Sequence, residues 1–271
     1  MGTSSADGAE TNTLCAVSVV VTHDASIAEA AALTNDPDRG ERLRGYLAHA
    51  YTATGLLLVL AATHLILAER FALAIIALIA CVVVDATDGI LARRVRVTET
   101  ARLIDGRRLD DIIDYLSFVF VPLLLAVHAD LILTPVFPTV AAVLITSVIG
   151  FSRVDAKQSA QGFFQGFPSY WNVVIGYLWL FQTPHMFNTV LLLMLAVLVL
   201  VPVRFLYPTQ LPRRADRRRH YVLGAVWGVV CVVALLLPAG PGRLALATAS
   251  LAYPAYYVYC SIRADLAARR A

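Results

Sequence analysis

Residues 71–93 read FALAIIALIACVVVDATDGILAR. The first fourteen, Phe71 through Val84, carry no charge. As a helix rising about 1.5 Å per residue, the whole stretch is long enough to cross a hydrocarbon core of about 30 Å. Polar chemistry starts abruptly at Asp85. A helix that is apolar for most of its length and ends in carboxylates and arginines belongs with its polar end at a membrane edge. The rest of the chain has the same character. Of its 271 residues 59% are hydrophobic and 15% charged, with a mean hydropathy of +0.70, against about 45–50% and about 25% in soluble domains. A single soluble core of this size would leave too few polar residues to cover its surface. These numbers exclude a soluble globular enzyme, a disordered chain, a collagen and a secreted disulfide scaffold. The alternating segments of a membrane β-barrel are missing too. The fold class is therefore all-α, a polytopic membrane helical bundle.

Apolar runs predict eight spans, near Tyr46–Leu67, Phe71–Arg93, Leu109–His128, Val136–Arg153, Tyr170–Phe181, Met186–Phe205, Tyr221–Leu237 and Leu244–Ile262. Polar or Pro/Gly punctuation separates them, as at Glu69-Arg70 and Pro238-Ala239-Gly240-Pro241. With the N-terminus in the cytoplasm, 20 of the 22 basic residues fall on the cytoplasmic side, and only Arg70 and Arg243 fall outside. An even number of spans then leaves both termini cytoplasmic. The net charge of +3 reads as attraction to an anionic inner leaflet rather than to nucleic acid. Residues 1–38 contain no Lys or Arg and no basic stretch before a short apolar one. They predict a disordered extension rather than a cleaved signal, leaving 39–271 as one transmembrane domain. The four cysteines, Cys15, Cys81, Cys231 and Cys260, form no CxxC pair. The last three sit in apolar runs as small buried hydrophobes. The histidines show no zinc-ligand spacing.

Five of the 19 acids gather at Asp85, Asp88, Asp110, Asp111 and Asp114, at the cytoplasmic end of the second span and the start of the third. A carboxylate near a membrane is costly unless paired or metal-bound. Asp85, Asp88, Gly89 and Ala92 stand at i, i+3, i+4 and i+7 and share a helix face; Gly106, Asp110 and Asp114 stand at i, i+4 and i+8 and share another. If the faces meet, four carboxylates converge on a space kept open by very small residues, and they repel unless cations lie between them. Oxygen donors without nearby His or Cys suit Mg²⁺ or Mn²⁺, and such ions beside arginines suit a pyrophosphate group. Asp111 points about 100° away from Asp110, and Asp105 reads as loop. A lone D-x2-D at a helix end is usually a solvated or capping pair; the whole constellation is far more specific. From the residues alone, two classes stay open: metal-dependent chemistry at a pyrophosphate, and an ion transporter with a carboxylate site. Acids clustered at one membrane edge rather than the midplane weigh against the transporter.

These residues resemble the signature of the CDP-alcohol phosphotransferase family, D-x2-D-G-x2-A-R, a spacer, then G-x3-D-x3-D. Asp85, Asp88, Gly89, Ala92, Arg93, Gly106, Asp110 and Asp114 supply every letter. The spacer of twelve residues is longer than in most of the family and is similar to that of its bacterial phosphatidylcholine synthase branch. So are the stretch Gly106–Leu116, GRRLDDIIDYL, and the stretch Phe164–Asn172, FQGFPSYWN. The resemblance implies transfer of a phosphatidyl group from CDP-diacylglycerol to choline, releasing CMP, in a bacterial plasma membrane. It implies Mn²⁺ or Mg²⁺, as two ions, held by Asp85, Asp88, Asp110 and Asp114, with Asp114 as catalytic base. It assigns Asp88, Gly89, Ala92, Arg93 and Gly106 to the nucleotide and diphosphate. Other acceptors fit the same signature: inositol phosphate, glycerol phosphate or serine. So does the reversed use of CDP-choline. A homodimer is compatible with all of these.

Choline would call for aromatic faces or a carboxylate. Tyr115, Phe118, Tyr170, Trp171 and Asn172 lie on the cytoplasmic side and are the acceptor-binding candidates; an interfacial aromatic belt is the alternative reading. His49 and Thr52, an i, i+3 pair on the first span, face one side. Both core packing and contact with a bound ligand stay open for them.

Overall fold

The computed structural model describes residues 36–153, 157–158, 162–211 and 213–269. Residues 1–35, most of the extension expected to be disordered, and Cys15 with them, lie outside this set. The first helix, α1 (Arg39–Leu67), starts at a capping box: Asp38 accepts from the Glu41 amide and Glu41 reaches back to the Asp38 amide. Such caps contribute about 1 kcal/mol. α2 (Phe71–Arg94) follows after a tight turn and packs along α1. The buried side of α1 carries Gly45, Ala48, Thr52, Gly55 and Ala62, small residues that let neighbouring backbones approach in a membrane bundle. Close approach is strict at Gly55, where a Cβ would meet Ile113 Cγ2 at 2.8 Å.

After the one-turn α3 (Val97–Thr100) comes a continuous helical span, Gly106–His128. It consists of α4 (Gly106–Asp114), a π-helical segment (Tyr115–Phe120) and α5 (Val121–His128). α6 (Val136–Ser152), α7 (Trp171–Phe181) and α8 (His185–Leu200) are shorter apolar helices. α9 (Arg214–Leu236), α10 (Pro241–Ser250) and α11 (Ala252–Ala268) complete the chain. Among the described residues four spans, α1, α2, Gly106–His128 and α9, are long and apolar enough to cross a membrane. The hydrophobic core runs through α1, α2, the Gly106–His128 span, α6, α7 and α8, with Ala62, Ile66, Val119, Leu125 and Trp171 fully enclosed. The protein is an all-α integral membrane bundle, as the apolar runs predict.

Three details depart from the sequence reading. The span expected at Met186–Phe205 ends at Leu200, and Phe205 lies instead in a strand. A small antiparallel sheet joins β1 (Lys157–Gln158), β2 (Phe163–Gln165) and β3 (Arg204–Leu206) in that order. Gly166 ends this hairpin at φ +81°, and a Cβ there would run into the Val199 carbonyl. The span expected at Leu244–Ile262 is broken at Leu251 between α10 and α11. Pro254 supplies the cause: it has no amide for the Ser250 carbonyl, and its ring crowds that carbonyl. α11 then closes the edge of β3. Leu206 donates to Ser261 Oγ at 3.1 Å, Tyr257 Oη donates to the Leu206 carbonyl at 2.9 Å, and Arg204 donates its amide to Asp265 at 3.2 Å.

Candidate active site

The polar end of α2 is held from two sides. Tyr51 on α1 and Thr87 share a hydroxyl–hydroxyl bond of 2.7 Å, and Tyr221 Oη on α9 donates to the Ala86 carbonyl at 3.4 Å. α4 is fixed at its start by Asp105, whose carboxylate accepts from the amides of Arg107 at 3.1 Å and Arg108 at 3.2 Å. Asp105, read from sequence as loop, is thus the N-cap of the helix that carries Asp110 and Asp114. A capping side chain adds about 1 kcal/mol and sets where the helix starts. That in turn sets which side of α4 faces α2.

The two signature faces meet. One carboxylate oxygen from each of Asp85, Asp88 and Asp110 lies within 4.8 Å of the other two. Asp88 is buried at 8% exposure; Asp85 and Asp110 are half-buried. Three acidic groups this close in a partly apolar setting repel, and an oxygen-only donor set of this kind fits a hard divalent cation. The fourth signature carboxylate, Asp114, stands outside that trio, one turn deeper along α4 and within electrostatic range of Cys81 on α2. The helix changes to π geometry at the very next residue, Tyr115. Nothing in the sequence announced this widening, a rare helical geometry that is frequent at functional sites. Asp111 is half-buried, a third of a turn from Asp110.

A cleft of about 610 Å³ opens beside the trio. It is lined by Asp88, Gly89, Ala92, Gly106 and Asp110 from the signature, by Ala48, His49 and Thr52 from α1, and by Arg102 and Arg107 from the loop and α4. Thr52 lies within hydrogen-bonding reach of Asp88. The small residues of the signature leave room for particular neighbours. A Cβ on Gly89 would sit 3.2 Å from Nη1 of Arg93, whose guanidinium folds back over it toward Asp88. A Cβ on Gly106 would sit 2.8 Å from Cε1 of His49.

The five acceptor candidates are distributed unevenly. Tyr115 donates to the Leu144 carbonyl at 3.1 Å and packs edge-on against Phe151. Trp171 is fully buried and donates to Ser147 Oγ at 2.8 Å, fixing α7 to α6. Phe118 is buried against Tyr170, with ring centres 6.0 Å apart. Tyr170 also packs on Tyr257 and stands within electrostatic range of Asp85. Asn172 is buried, and with Val82 and Tyr177 it lines a small apolar recess between α2, α7 and α9. Tyr253 and Tyr257 belong to α11. Both lie near Tyr170, a proximity that only the fold reveals because α11 is so distant in the chain.

No protein-family model matches the chain. Individual relatives do. The chain is 35% identical over 185 residues, 66% of its length and 85% of theirs, to the phosphatidylcholine synthase of Legionella bozemanae. It is 33% identical over 222 residues to the one from Legionella pneumophila, covering 80% of this chain and 86% of that protein. A third, from Bradyrhizobium diazoefficiens, is 31% identical over 209 residues, 76% of this chain and 77% of the relative. The chain belongs to the phosphatidylcholine synthase family. Membership of that family makes the protein a CDP-alcohol phosphatidyltransferase and gives the carboxylate trio its chemical context.

Proposed function

We propose that the protein transfers the phosphatidyl group of CDP-diacylglycerol to choline, giving phosphatidylcholine and CMP. The observation that carries this reading is the convergence of Asp85, Asp88 and Asp110 at the rim of a cleft that opens at the polar end of an apolar bundle. Family membership supports the substrates: the relatives are named for phosphatidylcholine. In the reaction, the choline hydroxyl oxygen bonds to the phosphorus that carries the diacylglycerol. The bond from that phosphorus to the bridging oxygen breaks, CMP leaves with the electron pair, and the hydroxyl proton passes to a base. We assign that base to Asp114, which is outside the trio and therefore less committed to a cation. A positioned base contributes about 10²–10⁴-fold.

Asp85, Asp88 and Asp110, with Asp114 adjacent, would hold the Mn²⁺ or Mg²⁺ ions. When bound, a divalent ion there supplies positive charge to neutralise the diphosphate and the leaving phosphate. Gly89, Ala92 and Gly106 keep the cleft wall low for the nucleotide, and Arg93 supplies a guanidinium beside Asp88. Tyr170, within electrostatic range of Asp85, and its neighbour Asn172 are the acceptor candidates we favour; an aromatic face attracts a quaternary ammonium. The reactive end faces the cytoplasm, because Arg39, Arg93, Arg107, Arg153 and Arg217 flank the helix ends on its side and Arg70 and Arg243 lie at the other. The lipid then stays in its leaflet while choline and CMP exchange with water. The test is a panel of alcohols given with CDP-diacylglycerol and Mn²⁺ to the purified protein. Phosphatidylcholine should dominate the products. A preference for inositol phosphate, glycerol phosphate or serine would replace the acceptor and leave the transferase reading in place.

A further inference from the structure

One polar group in the cleft has no task in the reaction as written above. His49 is 5% exposed. Its Nε2 is sealed from solvent and has no hydrogen-bond partner. Buried polar atoms of this kind are uncommon, and each asks for a reason. Packing alone does not supply one, since an apolar side chain would fill the same place on α1 without stranding a nitrogen. The surroundings of His49 are those of the site. It lines the same cleft as Thr52, Asp88 and Asp110, and Thr52, one turn along α1, reaches Asp88. Its ring rests on Gly106, so closely that a Cβ there would come within 2.8 Å of Cε1. Gly106 is the first residue of α4, the helix that carries Asp110. His49 therefore touches the start of that helix while standing apart from the carboxylate trio, which is complete without it.

We propose that His49 is a nucleotide-binding residue whose Nε2 hydrogen-bonds the cytidine nucleotide in the cleft, and that Gly106 is glycine so that the imidazole can take up that position. The proposal rests on the CDP-alcohol reading above and adds a residue outside the signature to it. An imidazole nitrogen accepts or donates according to its tautomer, so it can meet either a hydroxyl or a phosphate oxygen. Nε2 has no path to solvent in this state, so the ring turns within the room that Gly106 leaves when the nucleotide enters. The nucleotide then replaces the missing partner.

The experiment measures CMP binding and Mn²⁺ binding separately on the purified full-length protein in detergent. Radiolabelled CMP in the presence of Mn²⁺ reports the first, and the spin resonance of free Mn²⁺ reports the second. His49→Leu should weaken CMP binding about tenfold, the size of one lost hydrogen bond to a ligand, with Mn²⁺ affinity changed less than twofold. His49→Gln should recover much of the loss. Gly106→Ala should weaken CMP binding in the wild-type background and add little in the His49→Leu background, since the two changes remove one interaction. Unchanged CMP binding in His49→Leu would overturn the proposal. So would a parallel loss of Mn²⁺ and CMP, which would make His49 a structural or metal-linked residue. Should His49→Leu fail to fold, His49→Ala decides in the same way: weakened CMP binding with Mn²⁺ affinity kept supports the proposal, and unchanged CMP binding overturns it. Wild-type protein that binds Mn²⁺ but no CMP would overturn the transferase reading itself, and this proposal with it.

Discussion

Asn188 and His49 are both buried polar residues in an apolar bundle, one at each end of it. Asn188, at 0% exposure, has a partner for each of its polar atoms. Its amide nitrogen donates to the Leu131 carbonyl at 2.9 Å and to the Thr183 carbonyl at 3.1 Å, and its oxygen accepts from the Thr183 hydroxyl at 2.5 Å. Those bonds tie the start of α8 to the loop after α5 and to the turn after α7. At the opposite end, His49 leaves Nε2 unmatched, and three carboxylate oxygens crowd within 4.8 Å. A polar group that serves the fold is closed by the fold's own partners. Groups that serve a ligand converge instead, and a cation bound between them lowers their mutual repulsion.

The sharpest way to break this contrast is to remove one carboxylate of the trio. Asp88→Asn should lower turnover by on the order of 10³-fold or more, because several kcal/mol of charge stabilisation is lost with the cation. Mn²⁺ titration of the variant should show the binding loss directly. Asp114→Asn is expected to lower turnover by about 10²–10⁴-fold while CMP and Mn²⁺ binding stay near wild type. Equal loss of binding would move Asp114 into the cation site. Asn188→Ala should do the reverse of both. Stranding the Leu131 and Thr183 carbonyls costs about 1–3 kcal/mol of stability, read as a lower Tm in detergent, with turnover per folded molecule nearly unchanged. The smallest effect belongs to Asp111→Asn, whose side chain leaves α4 about 100° from that of Asp110; its turnover should stay within a fewfold of wild type. A strong defect there, with folding intact, would mean that the other face of α4 carries the chemistry.

The same contrast explains what could be read from the sequence. Long apolar runs leave few alternatives to a helix in a bilayer, so α1, α2, the Gly106–His128 span and α9 were legible. Spacing at i, i+3 and i+4 put Asp85 with Asp88, and Gly106 with Asp110, on single faces before any coordinates. Strands of two and three residues, as at Lys157–Gln158 and Arg204–Leu206, are too short to show an alternating pattern. The break at Leu251 had a visible cause in Pro254, hidden by an apolar run that continued through it. The π-helical turn after Asp114 and the stacking of His49 on Gly106 left no local trace. The second depends on how α1 and α4 meet, and helical periodicity describes each helix alone.

The account stands most directly on one assay. Purified protein is given CDP-diacylglycerol and labelled choline, with Mn²⁺ in one arm and EDTA in the other, and phosphatidylcholine and CMP are counted together. Equal amounts of the two products with Mn²⁺, none with EDTA, and recovery when Mn²⁺ is returned is the predicted result. Full turnover in EDTA, or phosphatidylcholine formed without CMP, would contradict it.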